Sequence, residues 1–157
     1  MRPYRFLTTW CVAAPIQDVW DVISASDRYP EWWKGVRRVI ELEPGGENGL
    51  GALVRFEWRS RLPYSVRFDL RVTRCEPPYL LEAQASGELE GIGVWRLYEN
   101  PGGSALIYSW EVSASRAWMR RASPLGRPLL VWNHDRVMRA GARGLAERLG
   151  VALVVQG

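Results

Sequence analysis

Only one histidine, His134, occurs in the 157 residues, and only two cysteines, Cys11 and Cys75. That scarcity excludes much chemistry: neither cysteine stands at metal or redox spacing, and a lone imidazole without clustered carboxylates or thiols offers no ligand set, so no metal or cofactor is expected. The free thiols suit a reducing compartment. No stretch reaches the roughly 18 apolar residues that span a bilayer, which excludes stable membrane insertion. Arg2 and Arg5 ahead of the apolar residues 6–14 imitate a short signal peptide, yet Thr8, Thr9 and Pro15 interrupt it. The segment therefore reads as a first strand, and the protein as cytoplasmic. Repeats, low-complexity tracts and linkers are absent, so a single domain over residues 1–157 is expected.

Concentrated charge is lacking too. The chain has 21 Lys plus Arg against 17 Asp plus Glu, and every basic residue except Lys34 is arginine. A nucleic-acid site needs a dense basic face with aromatics placed for stacking. The nearest candidates, Arg116, Arg120, Arg121 and Arg127 with Arg136, Arg139 and Arg143, are scattered and read as solvated surface, so no nucleic-acid partner is expected. Trp118 and Met119 beside the first four leave room only for transient contact with anionic lipid.

What is abundant is apolar and aromatic surface: 47% of residues are hydrophobic and nine are tryptophan. From Gly51 onward the pattern alternates, Val54, Phe56 and Trp58 against Arg55, Glu57 and Arg59, then Tyr64, Val66, Phe68, Leu70 and Val72 against Ser65, Arg67, Asp69, Arg71 and Thr73. Each such strand has one wet and one dry face. Residues 4–13 and 36–43 add strands, as do 79–87, 91–98 and 105–114. A short helix follows Pro15, with Ile16, Val19, Trp20 and Ile23 on one side, and residues 26–33 form a loop or single helical turn.

Residues 124–149 read as a helix of about 39 Å at 1.5 Å per residue. Ser123 and Pro124 supply its start and Gly150 its end. Leu130, His134, Val137, Met138, Gly141 and Leu145 share one face, and Trp132, Arg136, Arg139, Arg143 and Glu147 the other. Something must cover the apolar face. The natural cover is a curved antiparallel sheet wrapped around the helix, an α+β arrangement of seven strands with two short helices between the first and second.

That order resembles the START-like superfamily of helix-grip proteins, and within it the polyketide cyclase/dehydrase and lipid-transport group. The resemblance rests on the opening strand with Ala14, Pro15, Ile16, Val19 and Trp20, on residues 27–33 (Asp27, Arg28, Tyr29, Pro30, Glu31, Trp32, Trp33), and on Trp132, Asn133, His134, Asp135, Val137 and Met138 in the closing helix. It implies a seven-stranded sheet gripping that helix around a cavity for an apolar ligand. Trp32 and Trp33 then fall where the family places the rim of the cavity entrance. Chemistry is implied less firmly, because a fold does not carry a function.

The dry faces place Phe56, Trp58, Tyr64, Phe68, Trp95, Tyr108 and Trp110 on one concave surface, with His134 and Met138 opposite. An aromatic wall with a few polar groups fits a lipid, quinone, polyketide or aromatic metabolite. His134 is the sole candidate for acid or base work, since its ordinary pKa lies near neutrality. Glu57, Asp69 and Glu111 fall on outer faces, so no nucleophile, base and orienting group converge. The expected function is binding or transport of a small hydrophobic molecule. The alternatives are a polyketide cyclase or aromatase working in the same cavity, and a protein-interaction module using the outer arginines.

Overall fold

One face of each alternating strand seeks cover, and antiparallel pairing joins eight of these strands into a single sheet in the computed structural model. The structure describes residues 3–59, 65–115 and 126–157. The strands are β1 (Tyr4–Val12), β2 (Val36–Glu43), β3 (Leu53–Trp58), β4 (Val66–Glu76), β5 (Leu80–Gly87), β6 (Leu89–Asn100), β7 (Gly103–Ala114) and β8 (Leu153–Gln156). Their order across the sheet is β2-β3-β4-β5-β6-β7-β1-β8. Helix α1 (Ile16–Ile23) and a 3-10 turn at Ser26–Glu31 connect β1 to β2, and helix α2 (Gly126–Leu149) follows β7. The expected Ser123–Pro124 helix start lies outside the described residues, as do Tyr64, Arg116, Trp118, Met119, Arg120 and Arg121.

Among the described residues the sheet has eight strands, one more than the seven expected. Gly150, at φ +66, ends α2 in the left-handed conformation that glycine adopts without strain. The chain then turns back onto the open edge of β1, where Val12 pairs with Leu153 and Cys11 with Val155. Backbone bonds from Ala13 N–H to the Ala152 carbonyl (3.1 Å) and from Gly157 N–H to the Thr9 carbonyl (2.8 Å) fix the addition. Four residues are too few to show a period, which is why the pattern alone did not mark this strand.

Outward-facing charges pair across the strands: Asp69 with Arg55 at 2.8 Å, Glu57 with Arg67 at 3.5 Å, and Glu111 with Arg5 at 3.5 Å. Inward, the register matters more. Val72 stands beside Ala83, Ala83 beside Gly93, Gly93 beside Trp110, and Trp110 beside Phe6. Small residues on β5 and β6 thus occupy the middle of a row that runs from Val72 to the large rings of Trp110 and Phe6. The sheet is left with a hollow at its centre.

The first connection closes one end of that hollow. Ile16, Val19, Trp20 and Ile23 of α1 are buried, and the Tyr29 hydroxyl donates to the Ile23 carbonyl at 2.5 Å. Trp32 and Trp33 then meet α2. Trp33 Nε1 donates to the Val137 carbonyl at 2.9 Å. Gly144 lies so close beneath the Trp32 carbonyl that a Cβ there would sit 1.9 Å from the oxygen. Met138, Ala142, Leu145 and Ala146 complete the buried side of α2.

Candidate ligand-binding cavity

Between the hollow of the sheet and α2 lies a cavity of about 180 Å³. Phe56 and Trp58 of β3, Phe68 of β4, Trp95 of β6, Tyr108 and Trp110 of β7, and His134 and Met138 of α2 all line it. The rings form a nearly continuous wall: Trp95 and Tyr108 lie 4.4 Å apart between centroids, Tyr108 and Trp110 5.9 Å, and Phe56 and Phe68 6.0 Å. Gly93, having no side chain, lets Tyr108 and Trp110 pack directly over it. A Cβ there would approach the Tyr108 hydroxyl to 2.5 Å and the Trp110 ring to 2.8 Å.

Trp32 and Trp33, expected at the cavity entrance, are both buried, at 9% and 3% exposure. Trp33 lines the cavity, in edge contact with Trp10 and Trp58, while Trp32 stacks behind it at 5.3 Å and does not line it. The pattern-based reading missed Tyr4, Phe6, Tyr29 and Asn133, which also line the cavity. Tyr4 and Phe6 carried a usable signal, because they alternate along β1 toward the same side as Trp10. Asn133 carried a weaker one: it lies one helical turn before Val137, on the same row.

Among the described residues, no Asp, Glu, Lys or Arg side chain lines the cavity. Burial pulls the His134 pKa from 6.5 down to about 4, against the opposing pull of the Asp135 carboxylate. That carboxylate stands 3.6 Å from Nδ1, too far for a hydrogen bond, and is itself exposed. His134 is therefore a neutral imidazole at pH 7, stacked on Phe6 with centroids 3.7 Å apart. Burial pushes the Tyr29 and Tyr108 phenols upward, so both stay protonated. Four buried polar atoms of the lining residues have no hydrogen-bond partner: Trp58 Nε1, Asn133 Oδ1, and both ring nitrogens of His134. Among the described residues no group of three or more His, Cys, Asp or Glu is placed to hold a metal ion.

The sequence profile of the polyketide cyclase/dehydrase and lipid transport family matches residues 5–150. The chain belongs to this family. Solved structures agree in fold. An aromatase/cyclase from a Streptomyces species superposes with a TM-score of 0.73 at 16% identity, covering 94% of this chain and 93% of that one. A START superfamily protein from Mycobacterium smegmatis gives 0.73 at 14% identity, covering 92% and 95%. The di-domain aromatase/cyclase BexL gives 0.71 at 20% identity; 92% of this chain is covered, but only 49% of that chain. No curated protein matches the sequence. Among the described residues, no helix is long and apolar enough to cross a membrane.

Within this family fold, the arrangement offers apolar burial, flat aromatic surfaces and a handful of neutral hydrogen-bonding groups. Among the described residues it offers no charge to hold an ionised ligand and no activated nucleophile. Ser26 also lines the cavity, and the neutral His134 is the one described lining residue that could act as a base toward a nucleophile.

Proposed function

We propose that this protein binds a small hydrophobic molecule inside the cavity and holds it without transforming it. The observation that carries this reading is the convergence of aromatic and aliphatic side chains from β3, β4, β6, β7 and α2 on one space that they do not fill. Size bounds the occupant. An apolar cavity of about 150 Å³ accepts benzene, so about 180 Å³ suits a compact molecule of one or two rings rather than a long acyl chain. Burying about 200 Å² of such a molecule at about 25 cal/mol per Å² supplies roughly 5 kcal/mol before any polar contact.

The family description and the aromatase/cyclase neighbours favour a second reading, a cyclase that shapes a reactive chain in the same space. That reading needs proton transfer, for which a group titrating near the working pH is best. An imidazole with a pKa near 4 and two phenols held protonated are poorly matched to it. His134→Ala separates the two: ligand affinity stays within about tenfold for a carrier, whereas turnover falls about 100-fold or more for an enzyme.

Native mass spectrometry of protein purified from its own host, followed by extraction, tests the reading. A stoichiometric compact apolar compound is expected. A folded protein that yields no small molecule and binds no apolar fluorescent probe contradicts it.

A further inference from the structure

We infer that the outward side of α2 docks the protein reversibly on the anionic surface of a lipid bilayer. This role is separate from whatever the cavity holds, and three features lead to it.

The first is a row of side chains. Trp132, Arg136, Arg139 and Arg143 are spaced by four, three and four residues, which on an α-helix stacks them along one side over about 16 Å at 1.5 Å per residue. Dispersed in the sequence, they form a straight stripe on the helix. Met138, Ala142 and Leu145 are buried on the other side.

The second is unmet charge. Arg5, Arg55 and Arg67 on the sheet and Arg148 near the end of α2 each have a carboxylate partner. Among the described residues Arg136, Arg139 and Arg143 have none, and the residues outside that set contain no Asp or Glu to provide one. Two further exposed cations stand beside the same helix. Lys34 precedes Gly35, and the Arg59 N–H donates to the Gly35 carbonyl at 2.7 Å. Gly35 lies against α2, where a Cβ on it would be 3.6 Å from Val137. The exposed acids of this stretch are Asp135 and Glu147, so cations outnumber carboxylates five to two once the Arg148–Glu31 pair is set aside.

The third is Trp132. Its ring is 44% exposed at the head of the stripe and carries the Arg136 guanidinium over one face, 5.6 Å from the centroid. A nucleic-acid base cannot stack on a face so covered. A bilayer suits the pair better. Indole rings settle at headgroup level, and arginines lay their apolar stems along that boundary while the guanidinium meets phosphate. Leu130, His134, Val137 and Met138 of the same helix line the cavity, so a docked protein holds its cavity about one helix diameter, 10 Å, from the bilayer.

Co-sedimentation of the full chain with vesicles tests this, using phosphatidylcholine alone and phosphatidylcholine mixed with phosphatidylglycerol. At about 0.1 M salt the mixed vesicles are expected to bind at least about tenfold more tightly, and the difference should disappear at about 1 M, where the screening length is about 3 Å. Combining Arg136→Gln, Arg139→Gln and Arg143→Gln should weaken binding to the mixed vesicles about 100-fold, with urea unfolding to confirm that the variant is folded. Brominated lipids should quench less of the tryptophan emission in Trp132→Phe than in the unaltered protein. Equal binding to the two kinds of vesicle, no binding to either, undiminished binding by the folded triple variant, or unchanged quenching in Trp132→Phe overturns the inference. Binding of a DNA duplex or of polyglutamate without binding to vesicles overturns it too, and assigns the stripe to a different partner. Each of these outcomes leaves the cavity reading intact.

Discussion

Acid should weaken this fold through His134, and the amount can be worked out. In the unfolded chain an imidazole titrates near 6.5; in the cavity wall, burial lowers that to about 4. Above pH 6.5 both states are neutral and His134 contributes no pH dependence. As pH falls from 6.5 toward 4 the unfolded state takes up a proton that the folded state refuses, so stability drops by about 1.4 kcal/mol per pH unit. By pH 4 the accumulated loss is about 3 kcal/mol, and below that it stops growing because the folded state is protonated too. Carboxylates titrate in the same window, so the His134 contribution has to be isolated by difference. Urea unfolding followed by tryptophan fluorescence, at steps between pH 7 and pH 4, should be run on the unaltered protein and on His134→Leu. The unaltered protein should lose about 2–3 kcal/mol more than the variant across that range. Leucine also removes two buried nitrogens without partners, so the variant should be at least as stable at pH 7. Parallel pH profiles for the two proteins would refute the claim that His134 sits in a dry wall.

Two glycines give further tests. Gly144→Ala places a Cβ 1.9 Å from the Trp32 carbonyl, a backbone atom that cannot step aside, and should cost about 3 kcal/mol or more in chemical denaturation. Gly93→Ala pushes on the Tyr108 hydroxyl and the Trp110 ring instead. Since those rings can tilt into the cavity, it should cost about 1–2 kcal/mol of stability and weaken ligand binding about tenfold by titration calorimetry. Trp33→Phe removes the indole bond to the Val137 carbonyl along with part of a buried ring, and should lower stability by about 2 kcal/mol in the same urea assay.

How far the sequence could be read depended on how local each feature was. Alternation along β3 and β4 placed Val54, Phe56, Trp58, Val66 and Phe68 on the inner face, because the side-chain period of a strand is set within the strand. The 3.6-residue period did the same for Leu130, His134, Val137 and Met138 on α2. The hollow itself was not legible. It depends on Val72, Ala83 and Gly93 falling side by side, and cross-strand register is settled by pairing between distant parts of the chain. The burial of both Trp32 and Trp33 was not legible for a related reason. Consecutive residues in a regular element point apart, but Trp32 ends a 3-10 turn at φ −132 and ψ −16, and the two rings stack at 22°. Both therefore go inward. The unpartnered state of Asn133 Oδ1 likewise depends on side chains that only the packed structure brings together.

The central claim is that the space between sheet and α2 is where a ligand sits, and filling that space tests it most directly. Ala83 lines the cavity beside Val72 and Gly93, so Ala83→Phe projects a ring into the hollow from the middle of the sheet. Titration calorimetry with naphthol should be compared between the unaltered protein and this variant, with urea unfolding to confirm that both are folded. The account predicts one bound molecule per chain for the unaltered protein and at least about 100-fold weaker binding for the variant. Undiminished binding by a folded Ala83→Phe protein would place the ligand elsewhere and contradict it.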